Sequence, residues 1–256
     1  MTDWQGFGLQ KFLSEKLDTE DYEGLLTPLP ENQGTEAAHQ FDERRRARLR
    51  STAGLGASSW LTALASRYAK TDLTHSEFNS LIRFRLGLSF NLPGVCCACK
   101  QEQDPYGHHA VICTKTPGIM ARHNALRDSL AQAFWFVGMR TENEKIVPSE
   151  TQTLRPADVF VQQQKLCIDA SVTHPAANSY FTKAATTDHH AADDRAKFKI
   201  GSSHTAVRDM GLFFTPFVME THGTFHKDTT RIINILANKW ASKSSVPLSV
   251  AVTRFR

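Results

Sequence analysis

Alternating and continuous apolar positions in the second half of the chain predict a set of strands. The segments 157–161 (ADVFV) and 165–172 (KLCIDASV) are short apolar runs separated by three glutamines, which is typical of two strands joined by a tight turn. Segment 212–220 (LFFTPFVME) predicts a further strand, and 144–150 (EKIVPSE) predicts a short one.

Helical periodicity flanks these strands. Apolar residues recur at helical spacing from residue 119 to 137 and stop at Gly138, which is a common residue just after a helix. Further helices are predicted in 181–200 and 225–240. The order of elements predicts an α/β fold in which a mixed sheet is flanked by helices.

The first part of the chain has a weaker pattern. Residues 1–50 are interpreted as a tail or linker, because Pro, Gly and polar residues interrupt any period around residues 27–36. Segment 36–50 is nevertheless compatible with a helix and contains five closely spaced arginines. This basic cluster is either a solvated helix face or a phosphate-binding arm.

Residues 51–92 are predicted to form a compact helical region. Two helices are expected, and the second begins with a capping pattern, Thr74 followed three residues later by Glu77. Its apolar positions are expected to be part of the core; they are Phe78, Leu81, Ile82 and Leu86.

Residues 93–116 contain a cluster of cysteines and histidines that could bind a metal ion. Three cysteines at its start and a His pair and a Cys at its end are separated by a turn that contains Pro105 and Gly107. Tetrahedral zinc is bound by four N or S ligands, so a structural zinc knuckle is predicted here. The register leaves Cys97 and His108 open as alternatives, and the ligands that we assign are Cys96, Cys99, His109 and Cys113.

Composition restricts the class of protein. The 256-residue chain is 41% apolar, which is enough for one large domain or two small ones. It has no apolar run of about 18 residues, and its cysteines do not form a secreted disulfide pattern. We therefore expect a soluble intracellular protein with no membrane partner. The formal net charge of +4 permits a polyanionic partner.

Two aspartates stand in the predicted strand pair. If the hairpin turns at Gln163 and Gln164, Asp158 and Asp169 lie opposite each other, because residues that face each other have numbers with a constant sum. Facing carboxylates repel unless a cation lies between them, so a divalent metal is a physical reason for the pair.

The same residues resemble a known nuclease core. Pro156, Ala157 and Asp158, followed by Asp169, resemble the motif of the PD-(D/E)XK restriction-endonuclease-like superfamily. With the preceding Cys/His knuckle and the Arg122-His123-Asn124 segment, the chain is similar to the C-terminal endonuclease region of site-specific non-LTR retrotransposons and related reverse-transcriptase polyproteins. This resemblance implies an endonuclease-like core over residues 117–256.

The resemblance also implies a catalytic site. Asp158 and Asp169 would bind Mg²⁺, with Mn²⁺ as a substitute, and hydrolyse a DNA phosphodiester. Ser171 stands where the family has a lysine, so a lysine from the following helix, Lys197 or Lys199, is the candidate. His123 either contacts the substrate phosphate or supports the helix that carries it. The full set of residues expected to contact nucleic acid is Arg122, His123, Arg155, Arg44, Arg45 and Arg46.

Three functions follow as hypotheses. The first is a DNA endonuclease that acts in the nucleus with a reverse transcriptase or another protein of the same element. The second is a catalytically inactive module that binds DNA or RNA, because the lysine position is changed at Ser171. The third is an assembly domain with no nucleic-acid partner. A steep weakening of binding with salt separates the second hypothesis from the third.

Overall fold

The fold is a mixed α/β structure built on one four-stranded sheet. The computed structural model describes residues 19–28, 35–57, 59–61, 72–89, 94–148 and 153–255. The labelled helices are α1 (Glu36–Ala53), α2 (His75–Leu86), α3 (His108–Ile112), α4 (Gly118–Phe136), α5 (Phe181–Ala184), α6 (His190–Asp209), α7 (Lys227–Ser244) and α8 (Leu248–Phe255). The strands are β1 (Gly94–Val95), β2 (Glu102–Gln103), β3 (Thr141–Pro148), β4 (Thr153–Val161), β5 (Leu166–Thr173) and β6 (Phe213–Glu220).

The sheet has the order β3-β4-β5-β6. Strand β4 runs antiparallel to β3 and β5, whereas β6 runs parallel to β5 and is reached through α5 and α6. A crossover through helices is the usual way to join two parallel neighbours. The predicted mixed sheet flanked by helices is therefore confirmed at the level of fold class.

The β4–β5 hairpin has the predicted register. A short 3₁₀ turn, Gln162–Gln164, and a left-handed Lys165 join the strands. The paired residues are Val159 with Ile168, Phe160 with Cys167, and Val161 with Leu166.

The core lies on both faces of the sheet. Helices α4 and α7 cover one face with a cluster that includes Leu130, Phe134, Val159, Val161, Leu166, Ile168, Phe217, Ile232 and Leu236. Helix α6 covers the other face, where Ala192 and Ala196 pack on Val218. Small alanines let this helix lie close to β5 and β6, which brings its longer side chains within reach of the strand residues.

Helix α1 belongs to the folded body and is not a free tail. Arg44 donates to the carbonyl oxygen of Ala176, and Arg50 Nε donates to the carbonyl oxygen of Ala185 at 3.0 Å. These bonds fix α1 against α5 and the loop before it. The part of residues 1–50 that runs from residue 36 onward is therefore structured by contacts made far along the chain.

Helix α2 forms where predicted, but its apolar stripe is not core. Thr74 and Glu77 make the expected capping box. Phe78, Leu81 and Leu86 are 47%, 41% and 55% exposed, so their assignment to the core is wrong for this structure. The preceding helix was predicted over residues 57–68, and residues 62–68, more than half of it, lie outside the described residues. None of the described helices has the length and apolar character needed to span a membrane.

Candidate metal centre and carboxylate site

A short turn presents the first two cysteines of the knuckle. Strands β1 and β2 pair, and between them the N–H of Cys96 donates to the carbonyl of Gln101 at 2.8 Å. The N–H of Lys100 donates to the carbonyl of Cys96 at 3.0 Å, and Lys100 has a left-handed φ of 63°. This tight turn places the side chains of Cys96 and Cys99 on the same side.

One carboxylate organises the other half of the knuckle. Both oxygens of Asp104 accept backbone N–H groups, from Tyr106 at 2.9 Å, His108 at 3.0 Å and His109 at 2.6 Å. These bonds outweigh the effect of burial, which by itself would raise the pKa of Asp104, and the pKa is lowered. They also fix the start of α3, which carries His109 and is followed directly by Cys113.

The four predicted zinc ligands converge. The donor atoms of Cys96, Cys99, His109 and Cys113 all lie within 4.8 Å of one another. The Sγ atoms of Cys96 and Cys113 are 3.8 Å apart, and Cys99 Sγ is 3.2 Å from His109 Nε2. Backbone N–H groups of Cys99 and Ala98 lower the pKa of the Cys96 thiol to about 6, which favours the thiolate that a metal needs.

The two alternative ligands point elsewhere. Cys97 is exposed. His108 Nδ1 lies 3.0 Å from His174 Nε2, so its ring is used in a histidine contact away from the cluster. The cluster can hold a metal ion with three sulfur donors and one nitrogen donor, and four protein ligands complete a tetrahedral site.

The two aspartates lie where the paired part of the β4–β5 hairpin ends. Beyond the pair Val159 and Ile168, Asp158 Oδ2 accepts the backbone N–H of Ala170 at 2.7 Å. The side chain of Asp158 thus fills the position between the strands. Its other oxygen, Oδ1, lies 3.3 Å from His123 Nε2 on α4.

A lysine from helix α6 reaches the second aspartate. Lys199 Nζ donates to Asp169 Oδ1 at 2.7 Å, and the side chains of Lys199 and Asp169 are only 16% and 15% exposed. Burial raises the pKa of Asp169 to about 6; Lys199 opposes this rise, and the nearby Asp158 adds to it. Lys197, the other predicted lysine, is exposed, and no contact joins it to either aspartate among the described residues.

Arg195 is a site residue that the sequence prediction missed. Its Nε donates to Ser171 Oγ at 3.0 Å, and Ser171 lies two residues beyond Asp169 on β5. Arg195 precedes Lys199 by one helical turn, so both cations face the same strand. The i, i+4 spacing of Arg195 and Lys199 is the signal in the sequence that would have identified it.

The other residues predicted to contact nucleic acid either form hydrogen bonds or ion pairs within the protein or have side chains outside the described residues. Arg122 is half-buried and donates through Nη2 to the carbonyl of Val111 at 2.9 Å. The side chain of Arg155 lies outside the described part of β4. In α1, Arg45 and Arg46 hold the buried Asp42, at 2.8 Å and 3.0 Å.

Buried histidines form a second polar cluster that the sequence did not suggest. His174 Nδ1 lies 2.7 Å from Thr221 Oγ1, while its Nε2 meets His108. His222 is stacked on Phe84, with a centroid separation of 4.7 Å. These rings connect the knuckle, helix α2 and the ends of β5 and β6.

No protein-family model matches the chain, and no curated protein matches its sequence. The chemistry of the two side-chain clusters therefore carries the functional assignment.

Proposed function

We propose that the protein is a metal-dependent nuclease that hydrolyses phosphodiester bonds at Asp158 and Asp169. One observation carries the proposal: Lys199 comes from a neighbouring helix to within 2.7 Å of Asp169, beside a second carboxylate on the adjacent strand. Two carboxylates can bind a divalent metal ion, and a cation beside them can stabilise the negative charge that builds on a phosphate during hydrolysis.

The two carboxylates are ligands of the type that Mg²⁺ binds. Magnesium prefers oxygen ligands and usually takes one or two carboxylates, with waters and phosphate oxygens as the remainder. Asp158 and Asp169 supply two carboxylates at one end of the hairpin. A bound Mg²⁺ or Mn²⁺ would polarise the phosphate and lower the pKa of a water nucleophile.

Side chains next to the two aspartates would orient the substrate. The ammonium of Lys199 is next to Asp169 and can hold a phosphate oxygen or the attacking water while negative charge builds. Arg195 donates to Ser171 through Nε, and its two terminal nitrogens have the geometry of a fork for phosphate oxygens. His123 fixes one oxygen of Asp158, which supports its role as a positioning residue.

The Cys/His cluster is proposed to hold structural zinc. Three cysteines and one histidine are a donor set that zinc prefers over magnesium, and a closed set leaves no position for substrate. The metal would fix the knuckle, and thereby helix α3 and the start of α4, next to His123.

A second candidate function has its own support. The short ion pair between Lys199 and Asp169 gives both side chains a partner without metal, and Ser171 replaces the lysine expected on the strand. Both features fit an inactive module that binds DNA or RNA. Either function makes nucleic acid the partner, and a reverse transcriptase partner and a nuclear location remain predictions.

Cleavage of supercoiled plasmid DNA tests the choice. The wild-type protein is incubated with plasmid in Mg²⁺ or Mn²⁺, beside Asp158→Ala and Asp169→Asn. The nuclease predicts nicked or linear products that both substitutions abolish and that chelation stops. Binding of DNA by wild type without any metal-dependent cleavage would refute the nuclease and leave the inactive module.

A further inference from the structure

Helix α6 carries an exposed aromatic ring beside the carboxylate site. Phe198, the residue before Lys199, is 62% exposed. The guanidinium carbon of Arg195 lies 5.2 Å from the centre of the Phe198 ring. Arg195 in turn donates to Ser171 on the strand that carries Asp169. The ring therefore lies against a cation that belongs to the site.

Exposure alone carries no conclusion, because single apolar side chains are common on protein surfaces. Phe213 at the start of β6 is 67% exposed and, among the described residues, has no side-chain contact with the site. What distinguishes Phe198 is its place: the preceding turn of α6 carries Arg195, and the next residue is Lys199. A substrate phosphate held by these two cations would bring its nucleotide next to the ring.

We propose that Phe198 is a stacking surface for a nucleobase adjacent to the cleaved phosphate, so that the substrate is DNA with an unpaired, unstacked nucleotide at the site. The inference rests on the proposed nuclease function, because it places the phosphate at Lys199 and Arg195. It adds the substrate class: single-stranded DNA or a locally opened duplex.

The physical reason is the geometry of stacking. In a continuous duplex both faces of every base are covered by its neighbours, so no face is available to a protein ring. An unpaired base offers a face, and aromatic side chains bind such faces with little sequence preference. Arg195 contributes a positive charge at the same position, and an arginine can pair with phosphate while it contacts an aromatic ring.

Equilibrium binding without divalent cations tests the inference separately from cleavage. Fluorescence anisotropy is measured with three labelled DNAs of the same sequence: a single strand, a duplex with a central mismatched bubble, and a fully paired duplex. The proteins are wild type, Phe198→Ala, Phe198→Trp and Phe213→Ala, each checked for an unchanged melting curve. Phe213→Ala is the matched control, since it removes an equally exposed phenyl ring.

The expected result is selective. Phe198→Ala should bind the single strand and the bubble about tenfold more weakly, with little change on the paired duplex, and Phe198→Trp should restore the binding. Phe213→Ala should behave as wild type. Equal affinities of wild type and Phe198→Ala for all three DNAs, an equal loss on all three, or no DNA binding by wild type would overturn the inference. If the protein does not cleave plasmid but Phe198→Ala still weakens binding of the single strand and the bubble selectively, the nuclease function is refuted and the stacking surface is not.

Discussion

His222 should make the protein sensitive to mild acid. Its side chain is 5% exposed and stacks on Phe84, and Nε2 has no hydrogen-bond partner among the described residues. The charged groups around it are cationic or can become so: Arg48, His108 and Arg85 act on it, and the ring of His174 lies 6.0 Å away. Burial, with these neighbours, lowers the pKa of His222 to about 3.

The size of the effect follows from linkage. The pKa of a histidine in the unfolded chain is 6.5. On acidification through this value the unfolded state therefore binds a proton at His222, whereas the folded state does not. The free energy of unfolding is therefore highest above pH 6.5, where His222 is neutral in both states, and it falls as the pH drops below that value. Between about pH 7 and pH 5 this costs about 2 kcal/mol of unfolding free energy. For a chain of this size, that corresponds to a fall in melting temperature of roughly 4 to 8 °C.

Thermal unfolding of wild type and His222→Phe at the two pH values measures this loss. Phenylalanine keeps a ring against Phe84 but cannot be protonated, so the variant should lose less stability than wild type by about 2 kcal/mol. His75→Phe, which removes an exposed histidine at the start of α2, should follow wild type. Parallel curves for wild type and His222→Phe would refute the assignment of His222 as a buried neutral group.

Three further predictions concern the metal cluster, an ion network and the aspartate pair. Metal analysis of the purified protein should find one equivalent of zinc. Cys99→Ser should lose this zinc, and the control Cys97→Ser, which changes an exposed cysteine, should keep it. Zinc retained in Cys99→Ser would contradict the proposed ligand set. Asp42→Asn should lower the unfolding free energy by about 3 to 5 kcal/mol in denaturant titrations, because two arginines lose a buried carboxylate; a neutral result would show that the network contributes little. Asp158→Asn should keep or raise the melting temperature without divalent cations, because the amide oxygen still accepts the N–H of Ala170 and the repulsion is relieved. A loss of roughly 1 to 3 kcal/mol would instead show that the contacts of Asp158 with Ala170 and His123 need the ionised carboxylate.

Local patterns in the sequence were sufficient for the four strands of the main sheet and for the two aspartates of the carboxylate site. The apolar runs around the three glutamines fixed the hairpin, and with it the register that brings Asp158 close to Asp169. The knuckle was likewise predictable, because all of its ligands lie within one short segment. In both places the contacts are close in sequence, so spacing determines them.

Contacts between distant segments were not predictable. The choice between Lys197 and Lys199 depends on how α6 is rotated about its axis against the sheet, where Ala192 and Ala196 pack on Val218 of β6. The arginines of α1 looked like a solvated or phosphate-binding face, but Arg44 and Arg50 find carbonyl partners more than a hundred residues away. The partners of long cationic side chains depend on tertiary packing and leave no local pattern.

The rate of DNA cleavage by two lysine variants tests the central claim most directly. Lys199→Met and Lys197→Met each remove one cation from the same helix, but only Lys199 contacts Asp169. In Mg²⁺ under single-turnover conditions, Lys199→Met should cleave plasmid at least about 10²-fold more slowly than wild type, as expected for loss of a charge that stabilises the transition state. Lys197→Met should stay within a few-fold of wild type. Cleavage by Lys199→Met at the wild-type rate, or loss of cleavage only in Lys197→Met, would contradict the proposed active site.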